Sequence, residues 1–475
     1  MAAYVRFGLP CAAVWVVYLL AFWPGILTED SIEQWTDMTS GVIRGYHSPL
    51  QTILHSLLTR LWLSPAIIVM AQITALSAAY AMVAAECAAR NAPRWLLAAT
   101  TLLVAALPAN GFIVVTLWKD VPYSIALLMI TALTLRLARS GGRFRSRFDV
   151  VVMAIALTAA ATFRHNGLPT VALFLMLLVR AVPVPRRPAW QVAALTLAGV
   201  LTIHFGLFRV LGVRPYHPAL RDQTMLHQVA AAMRTGTAYT QDDFAALGRI
   251  MPIANWVRDY RCESVIPTLV SVLAHSPADE YALLRPSLRT AWWHAVTRGS
   301  WIIASHHACV SGLIWNPVAS YALVSTSIVS NGYGLHTRPV LPAMNRLLSE
   351  LLLKTSEAPW RTLLWDPAAH LLVVACGVVW AWLRRADRVT VLALALPLLH
   401  TGILFVAIPS AEYRLQYPVV LGSLVVPLIV SSARNKLLAS SAQSCKNTAC
   451  SPDPDHPPLQ GPAARRPTPR PGRAG

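Results

Sequence analysis

The chain has 475 residues, of which 55% are hydrophobic and only 13% charged, with a mean hydropathy of +0.50. That balance excludes an ordinary soluble enzyme and implies an integral membrane protein. A formal net charge of +19 would suggest nucleic acid in a soluble protein, but much of the excess lies in short loops between apolar runs, where basic residues set membrane orientation. Nucleic acid is therefore not an expected partner.

A helical span needs roughly 20 apolar residues. By that measure the chain reads as an all-α polytopic membrane protein with about ten transmembrane helices: 8–27, 65–86, 95–116, 121–137, 149–163, 167–182, 190–210, 366–383, 389–408 and 417–433. The first run is followed by bulky FWPG rather than a small-residue cleavage site, so it reads as a retained anchor. Residues 28–48 are polar, and SPLQTILHSLLTRLWL (48–63) has apolar residues at helical spacing. This predicts an amphipathic helix in the outer interface, with an extended second span as the alternative.

The fifth and sixth runs are short, and the polar FRHNG between them predicts a hairpin. Residues 211–365 form one long outward segment, within which 304–329 is apolar enough to dip into the membrane. Cys262 and Cys309 lie in this segment, and an oxidising compartment would permit a disulfide, with two free thiols equally compatible. From 434 the chain turns rich in Pro, Ser and Arg, which predicts a disordered basic tail. The organisation is thus an N-terminal membrane module (1–210), an extracytoplasmic segment (211–365), C-terminal membrane helices (366–433) and a tail (434–475).

Arg90 and Arg94, the cluster Arg136 to Arg147, Arg180, Arg186 and Arg187, and Arg384, Arg385 and Arg388 fall at alternate junctions. These predict the cytoplasmic side, with both termini on it. The other junctions carry TEDSIEQW (28–35), YHSP (46–49), WKD (118–120), FRHNG (163–167) and EYRLQYP (412–418). Ionisable groups beside membrane spans are functional candidates, and alternation places these on one extracytoplasmic face.

Glu29, Asp30, Glu33, Asp37 and Asp120 supply carboxylates able to take a proton from an attacking hydroxyl. Lys119, Arg164, His165 and Arg414 supply donors for phosphate oxygens and for charge on a departing phosphate. His47 and Asn166 complete the set of expected substrate-binding residues. No zinc-type Cys/His spacing occurs, and adjacent His306 and His307 do not share a helix face.

The order of these parts resembles the GT-C superfamily of integral membrane glycosyltransferases, which take sugars from polyprenyl-phosphate carriers. The resemblance rests on a first span followed by an acidic outer loop, HSPL before an interfacial helix, an acid in a short second outer loop, and EYRLQYP near the end. It covers mainly residues 8–210 and 409–418. It implies that Asp30 is the first-loop catalytic acid, Asp120 the second-loop acid and Arg414 the late basic residue. Glu29 stands beside Asp30 as a further catalytic candidate.

The chain departs from the pattern: the first loop has no DxD or ExD, the second reads Lys-Asp, and no separate soluble C-terminal domain follows. No cofactor is assigned and a divalent metal is left open. Expected partners are a polyprenyl-phosphate-linked sugar, a cell-envelope glycan, lipid or protein acceptor, and membrane lipids. The expected location is a cell membrane, as in a bacterial inner membrane.

Structural readings compete at each motif: Asp30 or Ser31 as an N-cap, Lys119–Asp120 as a local ion pair, His47 as part of a turn, Arg164 and Arg414 snorkelling to headgroups. Among functions, a lipid-linked oligosaccharide polymerase or ligase would share face and substrate. A secondary transporter would show paired repeats and mid-membrane polar groups, and neither is evident.

Overall fold

A computed structural model describes residues 2–235, 239–317 and 324–448, with side chains between 4 and 433. Among the described residues the fold is helical, with only isolated β-bridges between loops. The N-terminal module contains α1 (Ala2–Ala21), α2 (Glu29–Ser40), α3 (Pro49–Thr59), α4 (Pro65–Ala88), α5 (Arg94–Ala106), α6 (Pro108–Val114), α7 (Asp120–Arg139), α8 (Arg147–Phe163), α9 (Gly167–Ala181), α10 (Arg187–Leu201) and α11 (Phe208–Val210). A π-helical turn, Thr202–Leu207, joins the last two.

Among the described residues six helices are long and apolar enough to cross a membrane: Tyr4–Ala21, Pro65–Ala88, Asp120–Arg139, Arg187–Val210, Arg388–Val406 and Tyr413–Ala433. The pair α5 and α6 makes a seventh if counted as one span bent by 54°. The bend falls at Pro108, which has no N–H for the preceding turn and starts a new helix. The expected count of about ten spans is therefore not confirmed. Helices α8 and α9 have 17 and 15 residues, about 22–26 Å at 1.5 Å per residue, short of a hydrocarbon core of about 30 Å. Helix α3 has 11 residues, too few for the alternative second span.

The membrane helices share two linked apolar cores. One is built from α1, α4, α5, α6 and α23 (Tyr417–Thr448) around Trp15, Tyr80, Phe112 and Val420; the other from α7 to α10 and α22 (Arg388–Val406) around Tyr123, Phe174 and Leu396. Residues 211–365 carry α12 (Gln223–Met233), α13 (Gln241–Ile250), α14 (Ile253–Arg258), α15 (Ile266–His275), α16 (Ala278–Arg298), α17 (Ser300–Val310), α18 (Gly312–Trp315), α19 (Pro342–Thr355) and α20 (Trp360–Leu364). Helices α12 to α16 enclose a core of their own around Trp256, Tyr281 and Leu288. A disulfide joins Cys262 to Cys309, Cα to Cα 6.0 Å, which decides between the two expectations for those thiols. The apolar stretch 304–329 is helical to Trp315, and part of it lies outside the described residues.

The chain closes with α21 (Pro367–Leu383), α22 (Arg388–Val406) and α23 (Tyr417–Thr448). Helix α23 thus runs beyond 434 into the stretch expected to be disordered, whose remainder from 449 lies outside the described residues.

Connections sort to two ends. At one, Ile26 bridges Thr116 and its N–H donates to the Val115 carbonyl at 2.9 Å. Ser48, the N-cap of α3, donates from Oγ to the Thr162 carbonyl at 3.1 Å. The segment 211–365 docks on the same end through Arg44 with Arg214 and Ser264 with Ser410. At the other end Arg136 pairs with Asp149 at 3.2 Å, Arg139 with Glu86 at 2.8 Å and Arg90 with Asp387 at 3.8 Å. The motif-bearing junctions and the arginine-rich junctions therefore occupy opposite ends of the bundle.

Candidate functional site

The loop that follows α1 and the loop that precedes α7 are laced together. Trp118 Nε1 donates to Thr28 Oγ1 at 2.9 Å, and Ser31 Oγ donates to the Leu117 carbonyl at 3.1 Å. Thr28, and neither Asp30 nor Ser31, occupies the N-cap position of α2. Asp30 is thereby freed from capping and stands in the first helical turn, where the helix dipole favours a carboxylate.

Asp30 faces the late loop. Arg414 Nη1 donates to its Oδ2 at 2.6 Å, Arg414 Nε donates to Glu412, and the Arg414 guanidinium stacks 5.1 Å from the Trp118 ring. Residues 384 apart in sequence are thus in direct contact. Asp30 Oδ1 has no hydrogen-bond partner among the described residues, and its side chain is 31% exposed. Burial works to raise the Asp30 pKa, but Arg414, Lys119 and His47 outweigh it and hold the carboxyl well below the usual carboxylate range.

The second carboxylate is more enclosed. Asp120 begins α7 and is fully buried, with Arg164 Nη1 2.6 Å from its Oδ1. The contact is a close approach of charges without hydrogen-bond alignment, so both Asp120 oxygens retain acceptor capacity. Arg164 lies 5.6 Å from the Tyr123 ring, one turn along α7. The tight turn that delivers Arg164 depends on Gly167. A Cβ there would lie 2.0 Å from the Ala160 carbonyl oxygen.

Both arginines therefore turn inward to carboxylates, contrary to the snorkelling alternative, and Asp120 pairs with Arg164 rather than with adjacent Lys119. Lys119 is the cation left over. It has no ion pair among the described residues, and its Nζ lies 5.6 Å from the Tyr46 ring. Desolvation lowers its pKa, with Asp30 opposing and Arg414 adding to the fall.

The remaining expected residues divide. His47 is buried and bonds Glu33 Oε2 through Nε2 at 2.9 Å. His165 is exposed and donates to the Tyr46 carbonyl at 3.2 Å, while Asn166 has an unpartnered Nδ2. Glu29 is exposed on the first turn of α2. Asp37 is consumed structurally: its oxygens accept the Arg44 N–H at 3.0 Å and Nε at 2.7 Å. Burial of Tyr46, with Asp30 nearby, pushes its phenol up to about 12.

Sequence reading missed the groups that hold this set. His400 is fully buried; its Nε2 donates to the Leu415 carbonyl at 2.9 Å and its Nδ1 accepts from Tyr123 OH at 3.0 Å. It ties the backbone beside Arg414 to the ring beneath Arg164. A lone histidine inside an apolar run, and a tyrosine one turn after Asp120, were the available signals. Among the described residues no group of three or more His, Cys, Asp and Glu is gathered as for a metal ion. His306 turns to Tyr260 OH at 3.0 Å and His307 packs edge-on against Phe405, so that adjacent pair diverges.

Fold and site define a polytopic helical membrane protein with a charged, multi-segment site at one end. No protein-family model matches the chain, and no curated protein is similar to it in sequence. Among solved structures it is similar to ArnT from Cupriavidus metallidurans, crystallised bound to undecaprenyl phosphate, at 16% identity and a TM-score of 0.33 over 94% of this chain and 81% of that one. That level of likeness transfers no residue roles.

Proposed function

We propose that this chain is a membrane glycosyltransferase of GT-C type that moves a sugar from a polyprenyl-phosphate donor to an acceptor hydroxyl at the extracytoplasmic face. The observation that carries the reading is the joining, at one end of the bundle, of Asp30 and Arg414 from α2 and the late loop with Lys119, Asp120 and Arg164 from two further junctions. A disulfide in the segment that docks on this end supports an oxidising side. Arginine-rich junctions at the far end support a cytoplasmic side there. The four-part division of the chain, both termini cytoplasmic and a bacterial inner membrane belong to the same reading.

The step is a single inverting displacement. The acceptor oxygen bonds to the anomeric carbon as the bond from that carbon to the phosphate oxygen breaks, and the electron pair leaves on the phosphate. Asp30 takes the acceptor proton through Oδ1, the oxygen not held by Arg414. At rest its depressed pKa makes it a weak base. Phosphate arriving at Lys119 and Arg414 withdraws positive charge from Asp30 and restores basicity when the acceptor is present.

Lys119, the cation without a carboxylate partner, is the first phosphate contact, followed by the Arg414 and Arg164 donors. Asp120 is read as the group that holds Arg164, and Glu29, His47, His165 and Asn166 as rim contacts to the sugar or acceptor. Mass spectrometry of lipids co-purifying with the protein tests this reading. A sugar-phosphate polyprenyl lipid, lost in Lys119→Ala, is expected. A pyrophosphate-linked oligosaccharide would favour the polymerase or ligase instead, and absence of any polyprenyl lipid from the well-folded parent would remove the proposal.

A further inference from the structure

At the end of the bundle opposite the candidate site, three turns enclose a cleft of about 390 Å³. Its walls come from the turn after α7, the turn between α9 and α10, and the start of α22. Gly142, at φ +78°, lets the first turn close on the second, since a Cβ there would lie 2.6 Å from Pro183 Cδ. Arg180 and Arg186 line the cleft from the turn between α9 and α10, and Arg388 lines it from the start of α22.

What sets them apart from other arginines at the same end is their gathering in one concavity, since lack of a carboxylate partner is shared with Arg94, Arg145 and Arg147. Arg90, Arg136 and Arg139 each pair with an acid. Arg180, Arg186 and Arg388 have no ion pair among the described residues, and the one acid of the lining, Asp387, is engaged by Thr390, with Arg90 beside it. A basic excess that only sets orientation would be spread over the loops. Here three unneutralised guanidinium-bearing side chains share one concavity, and the positive ends of α10 and α22 open beside it.

We propose that this cleft binds a phosphate-bearing anion, and its place at the ends of membrane helices favours an anionic lipid headgroup. Arginine matches phosphate oxygens with paired donors, and basic pockets between membrane helices suit such headgroups. The proposal does not depend on the function assigned to the other end.

The test is native mass spectrometry of the full chain in neutral detergent with added phosphatidylglycerol or phosphatidylcholine. The parent should retain phosphatidylglycerol selectively. Arg180, Arg186 and Arg388 changed together to Gln should weaken that retention at least tenfold, about fivefold for each arginine removed singly if the triple variant does not fold. A charge-matched control, Arg94, Arg145 and Arg147 to Gln, should retain it. Displacement by millimolar inorganic phosphate would assign the cleft to a soluble phosphate compound, and resistance to displacement would assign it to lipid. Equal losses in cleft and control variants, or no loss when cleft arginines are removed, would overturn the proposal.

Discussion

Asp120 and Arg164 permit a quantitative test of how the site is held together. Asp120 is fully enclosed and the Arg164 side chain is 7% exposed, 2.6 Å away. Two unit charges about 4 Å apart between their centres attract by about 4 kcal/mol at an effective dielectric of 20, much of it offset by desolvation. Removing one partner leaves the other charge buried and uncompensated, a loss of about 3–5 kcal/mol. Asp120→Asn and Arg164→Gln should each destabilise by that amount, whereas the double variant should recover about 2–3 kcal/mol relative to additivity. Unfolding of the purified protein in mixed micelles by added SDS, followed by circular dichroism, measures all four corners of the cycle. Single losses below about 1 kcal/mol that simply add would show that the two charges are hydrated and that Asp120 does not hold Arg164.

Other perturbations separate chemistry from scaffolding. Asp37→Asn weakens its bonds to Arg44 and should cost about 1–2 kcal/mol of stability while leaving transfer within about threefold of the parent; a loss of transfer comparable to that of Asp30→Asn would move the catalytic role. Lys119 has a folded pKa below its ordinary value, so the unfolded chain binds more protons between the two values and stability rises with pH in that window. Donor binding should therefore fall on the alkaline side below the ordinary lysine range near about 10.4, and Lys119→Arg should move that limb to higher pH; an unmoved limb would exclude Lys119 from the phosphate contact. His400→Leu leaves Tyr123 OH and the Leu415 carbonyl without their partner and should cost about 2 kcal/mol or more, with kcat reduced more than KM; stability and kinetics both matching the parent would remove its positioning role.

Much of the site was legible because membrane chains confine charge. TEDSIEQW, WKD, FRHNG and EYRLQYP stood out against apolar runs, and alternation of the junctions placed Asp30 and Arg414 on one face, though their contact came only from the fold. Pairing was not legible. Nothing local tells that Asp120 reaches Arg164 rather than Lys119, since α7 must first be packed against α8. Span length was legible in part: the runs at 149–163 and 167–182 read as short, and α8 and α9 have 17 and 15 residues, but hydropathy alone still counted both as spans. His400 was hidden, as its partners lie on elements brought beside it only by folding.

Sugar transfer from a polyprenyl-phosphate donor by vesicle-reconstituted parent and Asp30→Asn protein tests the central claim most directly. The substitution keeps the size of the side chain and removes its basicity. With a general base contributing typically about 10²- to 10⁴-fold, the variant should insert and bind donor as the parent does, while turnover falls by about two orders of magnitude or more. Near-parental turnover in Asp30→Asn would contradict the account.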